Sequence, residues 1–286
     1  MSEGTSARRR RVGAQLRQWR AGEGLTLQGV ADRLEVSLAT ASRWETGSTK
    51  VSLDTYSRLA DLYRVDAESR VYFERLCRDA DEAGWWTRYG DVISHGFRDF
   101  IELESQAVRE FVFHTMVVPG LLQTAEYRRA VVLTQGAPDG TARKADVVAD
   151  MNAARQSILT RLSSPFDLHV VMQESVLLHE FDGQPHIMRE QRRRLRELAT
   201  RPNITIQVVP LRRSSHPGSN GDFTILTYGG GEATVYNELL TSSVMTNDPA
   251  EVAVYRAAME TLAGDVALSV EDSMGLLDRL LEESAV

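Results

Sequence analysis

Ser37, Leu38, Ala39, Thr40, Ser42 and Arg43 form a compact set of side chains able to meet a nucleic acid. A guanidinium can donate to both major-groove acceptors of guanine, a discrimination of roughly 1–3 kcal/mol, whereas small apolar side chains suit a thymine methyl. Hydroxyls and the unpaired N–H groups at a helix start suit phosphate oxygens. The six residues fall in one helical span whose opposite side, Ala41 and Trp44, is apolar. That spacing turns them to the outer face and its edges, as a helix laid in a groove about 12 Å wide requires.

The elements that must hold this face are legible around it. Residues 25–47, LTLQGVADRLEVSLATASRWETG, read as helix, tight turn, helix. Thr26 stands at the first N-cap, Val30, Ala31 and Leu34 form the inner side, Val36 plugs the turn and Ser37 caps the second helix. Val12, Leu16 and Trp19, then Leu53, Tyr56, Leu59 and Leu62, mark further amphipathic helices, with Ser52 as a cap and Gly22, Gly24 and Gly47 as stops. Residues 8–64 are therefore expected to be an all-α DNA-binding domain, and 65–106 a helical connector with helices from Asp66 to about Ala83 and from Phe97 to about Gln106.

Beyond the connector the period changes. AVREFVFHTMV, FDLHVVM, NITIQVV, DFTILTYG and EATVYNEL are β-branched or aromatic runs bounded by turn residues, and read as strands. Helical patterns lie at 122–133, 139–162, 184–200, 248–264 and 270–284. The expectation is a multi-domain chain in which an α+β regulatory and dimerisation domain, 107–286, follows the helical one. Gly229 to Gly231 join two strand-like runs, so they read as a hairpin turn and not as a phosphate cradle, which would open a helix.

Composition sets the outer bounds. With 42% apolar and 26% charged residues, the 286-residue chain should bury a real core. Its net charge of −7 is unevenly spread: residues 1–64 hold 11 Lys/Arg against 7 Asp/Glu, the remainder 22 against 33. A basic head on an acidic body suits a polyanion at one end only, because screening confines the attraction to about a Debye length. Cys77 is the only cysteine, which excludes an internal disulfide and a thiolate zinc cage. No secretory signal and no apolar run of membrane-spanning length is present, so a cytoplasmic protein without membrane partners is expected.

Catalysis finds little support. His179 and His186 are poorly spaced as ligands, and His216-Pro217-Gly218 with Asp222 makes an ordinary loop into a strand. Glu102, Glu104 and Glu110, and REQRRRLRE at 189–197, are expected on solvated helix faces. No catalytic residue, metal site or cofactor is therefore assigned; an enzyme with a DNA-targeting head is the least favoured alternative.

Residues 12–64 resemble the Cro and lambda-repressor type of helix-turn-helix, the xenobiotic-response-element family. The match rests on Leu25-Thr26, Val30-Ala31, Leu34, Val36-Ser37, Thr40-Ala41-Ser42-Arg43, Trp44-Glu45 and Gly47. Two positions depart from the pattern: Glu35 stands where glycine usually makes the turn, and Leu27 where a phosphate-bonding glutamine is common, with Gln28 beside it. A left-handed backbone at Glu35 would cost on the order of 1–2 kcal/mol, which a packed domain can absorb. The resemblance implies that Leu38, Ala39, Ser42 and Arg43 face bases while Thr26, Gln28, Ser37 and Thr40 lie nearer phosphates. Lys50 and Arg8 to Arg11 would add sequence-blind, salt-sensitive affinity.

Residues 90–284 resemble the uncharacterised domain that follows this head in actinobacterial WhiJ-like regulators. VPGLLQTAEYRRAV, DLHVVMQESVL, MREQRRRLRELATRPNITIQVVP, HPGSNGDFTIL and DPAEVAVYRAAMETL carry the likeness. It implies a homodimeric regulator of duplex DNA, antitoxin-like in its pairing with a small acidic partner protein. An alternative is a sensor with a small-molecule effector in a pocket of the second domain.

Overall fold

The computed structural model describes residues 7–78, 84–89, 92–134, 142–161, 165–213 and 215–283. Parts of helices expected at 79–83, 139–141, 162 and 284 lie outside them. The chain forms two units, Met1–Thr87 and Arg88–Val286.

The first unit is helical: α1 Ala7–Gly22, α2 Leu27–Leu34, α3 Leu38–Glu45, α4 Leu53–Leu62 and α5 Ala67–Arg78. Its core joins Val12 and Leu16 to Val30, Ala31, Ala41, Trp44, Tyr56 and Leu59. Phe73 and Cys77 of α5 belong to the same core, and Phe73 takes the edge of Trp19 at 4.8 Å. The stretch 65–106 is thus shared out: α5 packs into the first unit, whereas the next helix, α6 (His95–Glu104), lies in the second. Burial pushes the Cys77 thiol up to about 12.

Close approach of α1 to the end of α3 depends on one missing side chain. A Cβ at Gly13 would stand 2.5 Å from the Trp44 carbonyl oxygen and 2.6 Å from that of Glu45. Backbone atoms cannot give way cheaply, so Gly13→Ala should destabilise the first unit by about 1–3 kcal/mol. Thermal denaturation of the full chain measures this as a lowered melting temperature.

The second unit is built on a six-stranded mixed sheet of order β3-β2-β1-β4-β5-β6. Its strands are β1 Arg109–His114, β2 Asp167–Gln173, β3 Ile204–Val209, β4 Phe223–Thr227, β5 Ala233–Glu238 and β6 Ser243–Thr246. β1, β2 and β3 run parallel, linked through α7 (Ala125–Thr134) and α8 (Ala142–Arg155), then α9 (Glu174–Leu178) and α10 (Pro185–Leu198). β4, β5 and β6 extend it antiparallel from β1. The triglycine is the β4–β5 hairpin, with Tyr228 N donating to Glu232 O at 3.0 Å. Side chains alternate between the faces, and β1 to β5 are buried on both. Phe111, Phe113, Val171, Phe223 and Val235 pack under α11 (Pro249–Thr261) and the π-turn Leu262–Val266, while Val112, Val170, Ile206 and Val208 are equally buried on the other side. α12 (Val270–Glu283) rests on α10 and β3, where Arg196 meets Asp278 at 2.8 Å and Ser273 Oγ accepts from Val208 N.

Polar groups in this unit depart from expectation. Glu102, Glu104 and Glu110 do not face solvent; Glu104 and Glu110 are each 2% exposed. The reason is Arg155, whose Nε and NH2 donate to the two Glu104 oxygens at 2.9 and 2.6 Å and whose plane lies over Phe97 and Phe100. Gln191, inside the expected charged face 189–197, is fully buried and holds the loop before α7: Oε1 accepts from Thr124 N and Nε2 donates to Leu122 O.

Burial and then the adjacent Glu104 raise Glu110 well above its ordinary 4.5, so it folds as the neutral acid. The fold binds this proton more tightly than the unfolded chain does, so its contribution is complete below about pH 4.5 and is lost as pH rises toward the folded value. Burial lowers His114, His169 and His216, and acts oppositely, removing stability as pH falls below 6.5. Histidine contributions cancel in the comparison of wild type with Glu110→Gln. The variant should melt higher at pH 7–8 and show no such gain near pH 4, measured by calorimetry across pH.

Candidate nucleic-acid interface

Local hydrogen bonding fixes the start of α2, the turn after it and the start of α3. Thr26 Oγ1 accepts from Gly29 N at 3.0 Å and Ser37 Oγ from Thr40 N at 3.1 Å, so both act as N-caps. Glu35 adopts the left-handed conformation, φ 57° and ψ 43°, and its N–H and that of Val36 donate back to the end of α2. Val36 turns toward the core beside Leu25 and Leu27. A left-handed glutamate is strained where glycine would not be.

Within α3, Ala41 and Trp44 go inward and Ser37, Leu38, Ala39, Thr40, Ser42 and Arg43 stay on the outside. Leu38 is 45% exposed, unusual for a leucine at a helix start, and Ala39 and Arg43 are exposed beside it, while Thr40 and Ser42 are half-buried. Ser37 Oγ and Thr40 Oγ1 share a hydrogen bond at 2.8 Å, and Arg43 reaches Thr40 only at 3.4 Å. A contact that long holds the guanidinium loosely, leaving its donors available to a better acceptor. Thr26 and Gln28 are exposed at the start of α2, with Gln28 Nε2 on Asp32 Oδ1 at 2.7 Å, and Lys50 is exposed in the loop after α3. One continuous outward surface, α3 with the hydroxyl caps at its edge, is what the sequence residues build.

Two supports of that surface escape sequence periodicity. Glu45, at the end of α3, is 7% exposed yet charged: Arg20 Nε and NH2 grip its carboxylate at 2.6 and 3.0 Å, and Arg17 approaches at 3.5 Å. The hydrogen bond to Glu45 raises the Arg20 guanidinium above its ordinary value. Arg20 NH1 also donates to Leu25 O, tying α1 to the start of the motif. Arg58 NH2 donates to Leu34 O at 3.3 Å and so covers the end of α2 from α4. A tryptophan followed by glutamate hints at the first, but its partner lies 25 residues upstream.

In the second unit the histidine loop does no such converging. Asp222 Oδ1 accepts from Thr115 N and Oγ1, whereas His216 bonds Gln173 and packs on Phe113. Among the described residues no cluster of three His, Cys, Asp or Glu could hold a metal, and no helix is long and apolar enough to cross a membrane.

Fold and surface together define a helix-turn-helix DNA-binding regulator carrying a larger α/β domain. Residues 11–73 match the model of a helix-turn-helix domain, and residues 97–279 match the family described as a domain of unknown function, DUF5753. The latter spans more than half of the chain, which belongs to the DUF5753 family. No curated protein and no solved structure matches it.

The strained turn gives a direct check. Glu35→Gly removes the left-handed penalty at the cost of some unfolded-state entropy, for a net gain of up to about 1 kcal/mol. A raised melting temperature with unchanged helical content is the expected result.

Proposed function

We propose that this chain is a cytoplasmic, homodimeric, sequence-specific transcriptional regulator whose α3 enters the major groove of duplex DNA. The observation that supports this most is the outward surface of α3, where Leu38, Ala39, Ser42 and Arg43 present one apolar and one cationic patch to a groove. In this reading Arg43 addresses guanine, Leu38 and Ala39 address thymine methyls, and Ser37, Thr40, Thr26 and Gln28 line up along phosphates. Lys50, Arg9 and Arg10 add a salt-sensitive component, whereas Arg11, expected to join them, is buried against Phe73. Two heads on one dimer would engage half-sites about 34 Å apart, or a multiple of that.

The second domain carries the regulatory role, through a small acidic partner protein or an effector. A small-molecule reading has its own support. A cleft of about 540 Å³ opens between α11 and the loop before β4, lined by Asn220, Phe223, Asn237, Tyr255, Ala258 and Thr261 among others. Its size suits a drug-sized ligand, and its uncharged lining suits a neutral one. No catalytic role is assigned to this chain.

Footprinting on the chain's own upstream region, with anisotropy titrations of the protected duplex, tests the reading. Affinity should fall by several orders of magnitude between about 50 and 200 mM salt if roughly 6–10 phosphates are contacted. Arg43→Ala should cost about 1–3 kcal/mol on the preferred site and relax base preference at one position. A protein indifferent to every duplex at low ionic strength would end this reading.

A further inference from the structure

The sheet of the second unit has two edges, and they are finished differently. At β3 the outer side is closed: Val208 N donates to Ser273 Oγ at 3.0 Å, its carbonyl accepts from Leu268 N at 2.9 Å, and the Gln207 amide donates to Ala263 O and Leu268 O. At β6, Gly96 of α6 lies against Ser243, where a Cβ would overlap its hydroxyl, and among the described residues Val244 is exposed while Met245 and Thr246 are half-buried. Among the described residues, no backbone group pairs with the outer side of Val244–Thr246.

Edge strands are usually guarded by a charge, a proline or a bulge. Ser243-Val244-Met245-Thr246 has neither a charge nor a proline. The hairpin that leads into it is also unguarded: Leu239 N donates to Ser242 O, and the tip carries two leucines where polar turn residues are the rule. Leu239 is 54% exposed, Leu240 99%, Val244 53%, and Val254 on α11 69%.

We propose that β6 pairs antiparallel with β6 of a second copy of this chain, joining the two sheets across a two-fold axis. A strand laid antiparallel against itself is self-complementary in N–H and C=O, which is what an isologous interface demands. Residues 239–246, LLTSSVMT, hold no charged side chain, so the pairing opposes no like charges. Antiparallel alignment sets the hairpin before β6 in one copy beside the helix after β6 in the other. The exposed Leu240 thereby meets the start of α11 in the other copy. Four residues make few ladder bonds, and the exposed apolar side chains supply the remaining attraction. The contact deepens the two-headed DNA reading above, on which it rests for its purpose.

Sedimentation equilibrium of the full chain without DNA, across micromolar concentrations, tests it. The wild type and Leu178→Glu, a change at an exposed leucine of α9, should sediment at two chain masses, and Leu240→Glu with Val244→Glu at one, with unchanged circular dichroism. Should that double variant unfold, Val244→Cys decides: mild oxidation should give a dimer that thiol reverses. Buried Cys77, its thiol pushed up to about 12, is too poor a nucleophile to compete. A wild type of single mass, a dimer that survives the folded double variant, or a Val244→Cys chain that does not cross-link overturns the contact. Titration of a single half-site duplex separates the two readings: a monomeric variant that still binds it supports the contact alongside the DNA reading, whereas a β6 dimer that ignores all duplexes ends only the latter.

Discussion

The buried Glu45 carboxylate, held by Arg20 and approached by Arg17, is the interaction on which the outward surface of α3 depends. α3 is eight residues long, about two turns, and a helix that short has no stability of its own in water. Its direction must therefore come from tertiary anchors at both ends. Ser37 fixes the start through its cap, Ala41 and Trp44 bury the inner side, and Glu45 ties the last turn to α1. A charge this buried is tolerable only while paired; left alone it would cost roughly 3–5 kcal/mol. The ion pair and the close approach of Gly13 to the Trp44 carbonyl together hold the end of α3 against α1.

How much of the fold and of the interface is legible in the sequence depends on how local each determinant is. The caps at Thr26, Ser37 and Ser52 and the inner faces of the first helices depend on neighbours within four residues, so type and spacing expose them, whereas the left-handed turn at Glu35 is suggested only by the resemblance, since glutamate does not favour it. Five of the six strands are equally plain because burial on both sides makes them long apolar runs. β6 is not, since four residues including Ser243 and Thr246 show no alternation and become a strand only by pairing with β5. The glutamates of α6 and β1 escape for a related reason. Glu104 is a core residue solely because Arg155, 51 positions away, supplies its counter-charge, and no periodicity reports a partner at that distance.

The second unit answers the same problem of burying polar groups with a different logic. Its loop before α7 carries backbone groups into the interior, where each would be costly unpaired. Gln123, Asn152 and Gln191 take them up: Val118 O, Gly120 O and Leu122 O each accept from one of these amides. Those bonds explain why VPGLLQTAEYRRAV, glycine and amides included, holds one conformation in spite of its loop-like composition. Tyr127, whose hydroxyl accepts from Val118 N, ties α7 to the same loop.

The charge distribution along the chain then acquires a physical consequence. The chain carries a net charge of −7, yet its first 64 residues are net positive. At physiological ionic strength fields decay over about 8 Å, so beyond that distance neither repulsion nor attraction counts for much. In the proposed groove complex only the charges within that radius matter, and the first 64 residues carry 11 basic against 7 acidic side chains. The acidic body still acts on every wrong approach, because a duplex laid against it meets like charge. On the proposed reading, attraction at the face that carries Arg43 and repulsion from the acidic remainder of the chain favour the same orientation on DNA.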